Sequence, residues 1–306
     1  MLDVRRLQLL YEFAARGSIA STASAVSMTA SAVSQQLAAL EKEAGMALLE
    51  RTARSAHLTD AGRRLVEHAG TILDAIEAAE ADLAALDDDP RGRVTVTAFP
   101  TAAVALAAPV VRRLRKHRDL TMVLRQQRTA ASSIKQVRSG DIDLALVDDW
   151  SGVARSGPQG PLTFHHLGYD PLVVVLPARH REAGEDRLSA SQLMGEPWIA
   201  SPEGEPSRTA LERLWRAEGV SAPSVSEFEG LGTILTLVGK GLGVTVAPRM
   251  ATVSHSGVAV RNLSTPVSGR DIYAVHRTAS TQRPAVMAVL QVLHSSAKRL
   301  GSASEA

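Results

Sequence analysis

Ser27-Met28-Thr29-Ala30-Ser31-Ala32-Val33-Ser34-Gln35-Gln36-Leu37 is the stretch on which the reading of this chain turns. Thr29 is placed to cap a helix that runs to Gly45. At helical spacing Val33, Leu37, Leu40 and Ala44 fall on one narrow stripe, with Ser31, Gln35 and Lys42 nearly opposite and Ser34 to one side. One face can therefore lie on a core while the other offers short hydrogen-bonding side chains to base edges in a DNA major groove. Gln35 suits bidentate pairing with adenine, and Ser31 can bond several edges. Thr29 and Ser34 are better placed for phosphate, where the positive end of the helix dipole helps. Gln36 lies nearer the apolar stripe and ranks below them as a DNA contact.

Working outward, Asp3 can cap a first helix carrying Val4, Leu7, Leu10, Tyr11 and Ala14 at helical spacing, with Gly17 as its stop. Ser18 caps a second, alanine-rich helix ending near Val26, and its small residues allow close approach to the third. Taken alone, a Ser/Gln-rich amphipathic helix is most simply a solvated surface helix. The continuation from Gly45 to Gly62 reverses that reading. Residues 46–58 have the pattern of a turn and a two-stranded wing presenting Arg51 and Arg54, cations that suit the phosphate backbone or a narrow minor groove.

Residues 7–62 resemble the amino-terminal winged helix-turn-helix of LysR-type transcriptional regulators. The resemblance rests on Ser31-Ala32-Val33-Ser34-Gln35-Gln36-Leu37, Leu40-Glu41, Leu48-Leu49-x-Arg51 and Leu58-Thr59-x-Ala61-Gly62, in order and spacing. Ala30 stands where many members have a longer polar residue, and Gln35 where many have Arg. These departures bear on the operator sequence. The resemblance implies a sequence-specific transcriptional regulator of double-stranded DNA, a small-molecule effector and a homodimer that assembles into tetramers.

Thr59 caps a long helix expected to reach about Leu86, where Asp87-Asp88-Asp89-Pro90 stops it. Leu65, Ala69, Ile72, Ile76, Ala79, Leu83 and Leu86 are spaced 4, 3, 4, 3, 4, 3, a heptad seam. Such a seam pairs with the same helix of a second chain, with Leu65, Ile72, Ile76 and Leu83 as principal contacts. Packing on the chain's own carboxy-terminal half is the alternative. A two-fold pair of recognition helices predicts an operator with an interrupted inverted repeat near a promoter.

Beyond Arg93 the pattern alternates short apolar strands with amphipathic helices, which implies α/β layers with mostly parallel strands. Strands are expected at Val94–Ala98, Thr121–Leu124, Leu144–Val147, Leu172–Leu176, Trp198–Ala200, Val225–Phe228, Val244–Ala247 and Ile272–Val275. Gly140-Asp141-x-Asp143-Leu144-Ala145-Leu146 and Gly241-x-Gly243-Val244-x-Val246-x-Pro248 resemble the LysR effector domain, which has the two-lobed architecture of periplasmic binding proteins. The expected organisation is an α plus α/β protein. It comprises a winged helix-turn-helix (1–58), a linker helix (59–88) and an effector domain (92–306). One lobe of that domain takes about 92–165 and 268–306, the other about 166–267. Thr101, Arg128, Thr129 and Ser201 follow strand ends and are the candidate effector contacts, although Ser and Thr cap helices whether or not anything binds.

Composition sets limits. The chain has 306 residues, enough for two or three domains, and no cysteine. Disulfides, zinc-thiolate sites, thiol nucleophiles and thiol-based redox sensing are therefore excluded. Residues 1–58 carry six Lys or Arg against five Asp or Glu, so bulk charge does not hold this end on DNA. Phe, Trp and Tyr number 4, 3 and 3, which disfavours a cleft built on ring stacking and favours a small polar or carboxylated effector. Arg112-Arg113-Leu114-Arg115-Lys116 reads as a solvated helix face, and the adjacent His165 and His166 make a poor metal pair on a strand. No nucleophile elbow, P-loop, HExxH or dinucleotide fingerprint occurs, so an enzyme is not expected, nor a cofactor or metal. No long apolar run indicates a membrane span or signal peptide, so the expected location is cytoplasmic. RNA polymerase enters as a partner only through promoter regulation. The rival class is a ligand-independent architectural DNA-binding protein, for which some 200 residues of α/β domain are superfluous.

Overall fold

The computed structural model of the protein describes residues 1–52, 55–84, 90–127, 129–153, 155–221 and 223–305. Helix α1 (Val4–Arg16) starts at Asp3, whose carboxylate accepts from the Arg5 and Arg6 N–H groups, and stops at the left-handed Gly17. Ser18 caps α2 (Ile19–Ala25) through the Ser21 N–H, and Thr29 caps α3 (Ala30–Ala44) through the Ala32 N–H. In the turn between them Ser27 has φ 55°, a left-handed backbone in which a Cβ is strained. Strands β1 (Leu49–Arg51) and β2 (Ala56–Leu58) pair antiparallel as a wing, with Leu49 opposite Leu58. Helix α4 (Asp60–Ala84) follows at once. It passes so close to the wing that a Cβ on Gly62 would meet the Leu48 carbonyl oxygen at 2.2 Å. Leu7, Leu10, Phe13, Val33, Leu37, Leu40 and Leu48 form the buried centre of this module, and Leu65 and Val66 of α4 pack against it.

The remainder builds two α/β lobes. The first takes β3 (Gly92–Ala98), α5 (Pro100–Ala102), π-helical turns over Ala103–Ala107, α6 (Ala108–Leu114), β4 (Leu120–Gln126), α7 (Ala130–Ser139), β5 (Leu144–Asp149), β6 (Gly157–Gln159) and β7 (Leu162–Asp170). The second takes β8 (Leu172–Pro177), β9 (Arg187–Leu188), β10 (Trp198–Ala200), α8 (Pro206–Ala217), β11 (Val225–Glu227), α9 (Leu231–Gly239), β12 (Thr245–Pro248), α10 (Arg249–Thr252) and β13 (Val258–Leu263). The chain then returns to the first lobe with β14 (Arg270–Arg277) and α11 (Pro284–Glu305).

The first lobe is organised on a six-stranded sheet in the order β4-β3-β5-β14-β7-β6. The second has a four-stranded sheet, β12-β8-β13-β9, beside the parallel pair β10-β11. The expected mostly parallel arrangement does not hold. β3 runs parallel to β4 and β5, but β14 is antiparallel to β5 and β7, and β8 is antiparallel to both β12 and β13. The reason is the double crossing between lobes, because a strand that comes back from the second lobe enters the first sheet against its direction. The expected change of lobe near residue 165 falls inside β7, whose last residue is Asp170. Strands β6, β7, β9 and β13 were not among those expected from the sequence. The acidic helix stop at residues 87–89 lies outside the described residues.

Candidate functional site

The residues singled out from the sequence fall in two regions: the exposed side of α3 with its wing, and the edge of the first lobe where the chain crosses to the second. On α3 the buried stripe is Val33, Leu37 and Leu40, which leaves Ser31 and Gln35 exposed and Ser34 half-buried. Thr29 Oγ1 is 3.1 Å from Ser31 Oγ and caps the helix with the Ala32 N–H at 3.2 Å, so both hydroxyls sit at the positive end of the helix dipole. Gln36 points inward, and its Oε1 accepts from Arg6 Nε at 2.9 Å. Arg51 lies exposed on the wing, but its Nη1 is 3.0 Å from Glu41 Oε2. Glu41 Oε1 also accepts from the Leu48 and Leu49 N–H groups, so one carboxylate fixes the base of the wing to α3 and tethers Arg51. Arg54 lies outside the described residues.

The seam on α4 divides. Leu65 and Ala69 pack onto the winged module, whereas Ile72, Ile76 and Leu83 are exposed, Leu83 to 70%. Another face of α4 rests on the first lobe through Glu77. Its Oε2 accepts from Arg277 Nε at 2.8 Å and its Oε1 from Arg277 Nη2 at 2.8 Å, with Ser280 Oγ donating as well. Burial works against this carboxylate, but the hydrogen bonds from Arg277 and Ser280 outweigh it and hold its pKa below the ordinary value.

At the crossing edge of the first lobe, Thr101 follows β3 and Thr129 follows β4, on neighbouring strands. Ser201 follows β10 in the second lobe. Each hydroxyl has its own neighbour. Thr101 Oγ1 accepts from Arg270 Nη2 at 2.8 Å, Thr129 caps α7 through the Ser132 N–H, and Ser201 Oγ is 2.8 Å from Ser207 Oγ. Arg128 lies outside the described residues.

Arg270 was not anticipated, because a charged residue after Gly269 at a strand start matches no motif. It is 3% exposed, as is Asp170, to whose Oδ2 it donates from both Nε (3.0 Å) and Nη2 (2.9 Å). Its Nη1 donates to Asp148 Oδ2 at 3.0 Å. The guanidinium lies over the rings of Phe99 at 4.7 Å and Trp150 at 5.5 Å. Burial raises the Asp170 carboxyl above the usual carboxylate range although Arg270 faces it. Asp170 ends the strand that leaves the lobe and Arg270 begins the strand that returns, so this pair staples the hinge. A Cβ on Gly269 would meet the Asp170 carbonyl oxygen at 2.2 Å, and only glycine permits so close a crossing. The hinge floor thus holds the Thr101 hydroxyl on a buried guanidinium that two aromatic rings cover.

Comparison with known proteins bears on both regions. Residues 4–63 match the family model described as "Bacterial regulatory helix-turn-helix protein, lysR family", and residues 87–298 match "LysR substrate binding domain". The nitrogen assimilation regulatory protein nac of Klebsiella aerogenes is 27% identical over 97% of this chain and 96% of its own length. A probable hydrogen peroxide-inducible genes activator of Mycobacterium avium is 28% identical over 90% of this chain and 88% of its own. Among solved structures, a full-length OxyR variant of Pseudomonas aeruginosa superposes with a TM-score of 0.71 at 20% identity, covering 97% of this chain and 95% of that one. At that identity the likeness speaks for the fold.

Proposed function

Since family models match residues 4–63 and 87–298, the chain belongs to the LysR family of bacterial transcriptional regulators, and we propose that it reads its operator with Ser31 and Gln35 of α3. The observation that carries this reading is a helix buried along Val33, Leu37 and Leu40 whose opposite edge leaves Ser31 and Gln35 exposed. Thr29 and Ser34 take phosphate, Gln36 has a supporting place through Arg6, and Arg51 and Arg54 contact the phosphate backbone or minor groove from the wing. Two chains pair through the exposed Ile72, Ile76 and Leu83, which sets the recognition helices on an interrupted inverted repeat, and dimers join as tetramers. The linker is residues 59–88 and the effector domain 92–306.

The effector is a small polar or carboxylated metabolite held where the lobes meet by Thr101, Thr129 and Ser201, with Arg128 proposed from the sequence as a lower-ranked contact. Two facts support that class: Thr101 is fixed by the buried Arg270, and the chain has few aromatic residues. Relatives named for hydrogen peroxide do not extend that trigger to this chain as a thiol reaction, since it contains no cysteine. Binding changes the relation of the lobes, the spacing of the recognition helices follows, and access of RNA polymerase to the promoter is altered. Among the described residues no helix is long and apolar enough to cross a membrane. The location proposed is the cytoplasm, because the protein's work is on DNA.

Footprinting on the DNA beside the protein's own gene, with a panel of small carboxylates and amino acids, tests this. Expected are two protected half-sites facing successive turns of the duplex, with spacing that one member of the panel changes. Protection that no metabolite alters would favour a purely architectural role, and absence of protection would contradict the reading.

A further inference from the structure

β14 reaches from the hinge floor to the linker helix. Its first residue, Arg270, holds Thr101, Asp148 and Asp170, and its last, Arg277, holds Glu77 of α4. The two ends are roughly 24 Å apart at 3.4 Å per residue. Between them the strand is locked on every side. It is paired with β5 without a break from Asp271 to His276, and with β7 along the other edge, where a single irregularity falls at Ile272/Tyr273 and is bridged by the β5 ladder. Ile272 and Ala274 sit in the core beneath α11, Tyr273 and Val275 in the core beneath α7, and none of the four is more than 1% exposed. A strand so held moves as a unit, because bending it would open two hydrogen-bonded ladders and two close-packed cores.

The far end is built to register such a movement. Arg277 passes through a gap that exists because residue 140 has no side chain: a Cβ on the left-handed Gly140 would meet Arg277 Nη1 at 2.2 Å. Beside it, Arg283 bonds Asp143 at 2.6 Å and approaches Glu77 to 3.7 Å. The same rim of the lobe holds the DNA-binding module, since Arg16 pairs with Asp141 and Tyr11 Oη donates to the Arg138 carbonyl at 3.2 Å. A cavity of about 660 Å³ opens between α1, α4 and this rim, so the two helices, which pack on each other through Leu65, Val66 and Ala69, meet the rim across these polar pairs with space beside them.

We infer that β14 acts as a push-rod: rearrangement of the contacts around Arg270 is passed along the strand to the Arg277–Glu77 clasp, which sets how firmly the linker helix is held on the lobe. A hinge that closes on a ligand alters the Asp148, Asp170 and Thr101 contacts. The clasp, a partly buried bidentate pair, then engages or releases as one event. The inference goes beyond the identification of operator and effector and requires neither.

Hydrogen exchange of α4 amides 73–81 in the full-length protein, without DNA or effector, tests it. Glu77→Gln opens the clasp and should speed exchange by about fivefold or more, the lower range of ordinary coupling between sites. Asp148→Asn, at the other end of the rod, should speed the same amides in the parent and add nothing when Glu77→Gln is already present. Thr101→Val is the second hinge-end variant if Asp148→Asn fails to fold. Gly140→Ala, which forces Arg277 off Glu77, should reproduce the Glu77→Gln pattern. Hinge-end variants that leave α4 exchange unchanged, or whose effect multiplies fully with that of Glu77→Gln, overturn the inference. DNA binding by α3 would stand in that event.

Discussion

Arg270 Nη2 donates to the Thr101 hydroxyl at 2.8 Å, which occupies a lone pair of that hydroxyl and frees its proton to donate elsewhere. Thr101 is thereby cast as a donor to an acceptor oxygen on the effector. Thr101→Val should abolish stabilisation by any metabolite that raises the parent's unfolding temperature, whereas Thr101→Ser should retain it. Thermal unfolding with and without that metabolite reads the difference. Equal stabilisation of parent and Thr101→Val would remove Thr101 from the site.

Ser27 offers a test of the helix-turn-helix itself. Its φ of 55° places a β-carbon in the left-handed region, at a cost of about 1 kcal/mol. Ser27→Gly should relieve that strain and stabilise the module by a few tenths to about 1 kcal/mol, net of the glycine entropy cost. Ser27→Val should destabilise it by more. Denaturant unfolding distinguishes them, and a destabilising Ser27→Gly would show that the serine makes contacts worth more than the strain.

A pH prediction comes from a cluster of three histidines in the first lobe. His165 Nε2 is 2.9 Å from His276 Nε2, and the His294 ring stands edge-on to His165 with centroids 5.9 Å apart. Burial, and then the neighbouring His276 and His294, lower the His165 pKa from 6.5 to about 4. The unfolded chain therefore binds the proton more readily between those values, so this group's contribution to stability is complete above about 6.5 and is lost as pH falls towards 4. His165→Asn should flatten the fall in unfolding temperature across that window. An unchanged slope would assign the acid sensitivity to other groups.

What could be read from the sequence was local, and what could not was long-range. Asp3, Ser18 and Thr29 cap the three amino-terminal helices and Gly17 and Gly45 end two of them, because capping is decided within four residues. Trp198–Ala200 is a strand as expected, and Leu172–Pro177 extends the expected strand by one residue. β7 escaped because His165, His166 and Gly168 interrupt its apolar pattern, and β13 because Arg261 and Asn262 do the same. The Arg277–Glu77 clasp joins residues 200 apart, and no spacing rule reaches that far. Gln36 shows the limit on a single helix, since periodicity put it near the core stripe but could not name Arg6 as its partner.

The central claim is that the exposed edge of α3 reads bases, and the neighbours Gln35 and Gln36 test it against each other. Titration of a promoter fragment, with circular dichroism to monitor folding, compares the two single alanine variants. Gln35→Ala should keep its unfolding temperature and lose about 1–3 kcal/mol of operator affinity, with discrimination relaxed at one base pair. Gln36→Ala should lose stability through Arg6 and discriminate as the parent does. Full affinity and unaltered base preference in Gln35→Ala would contradict the account.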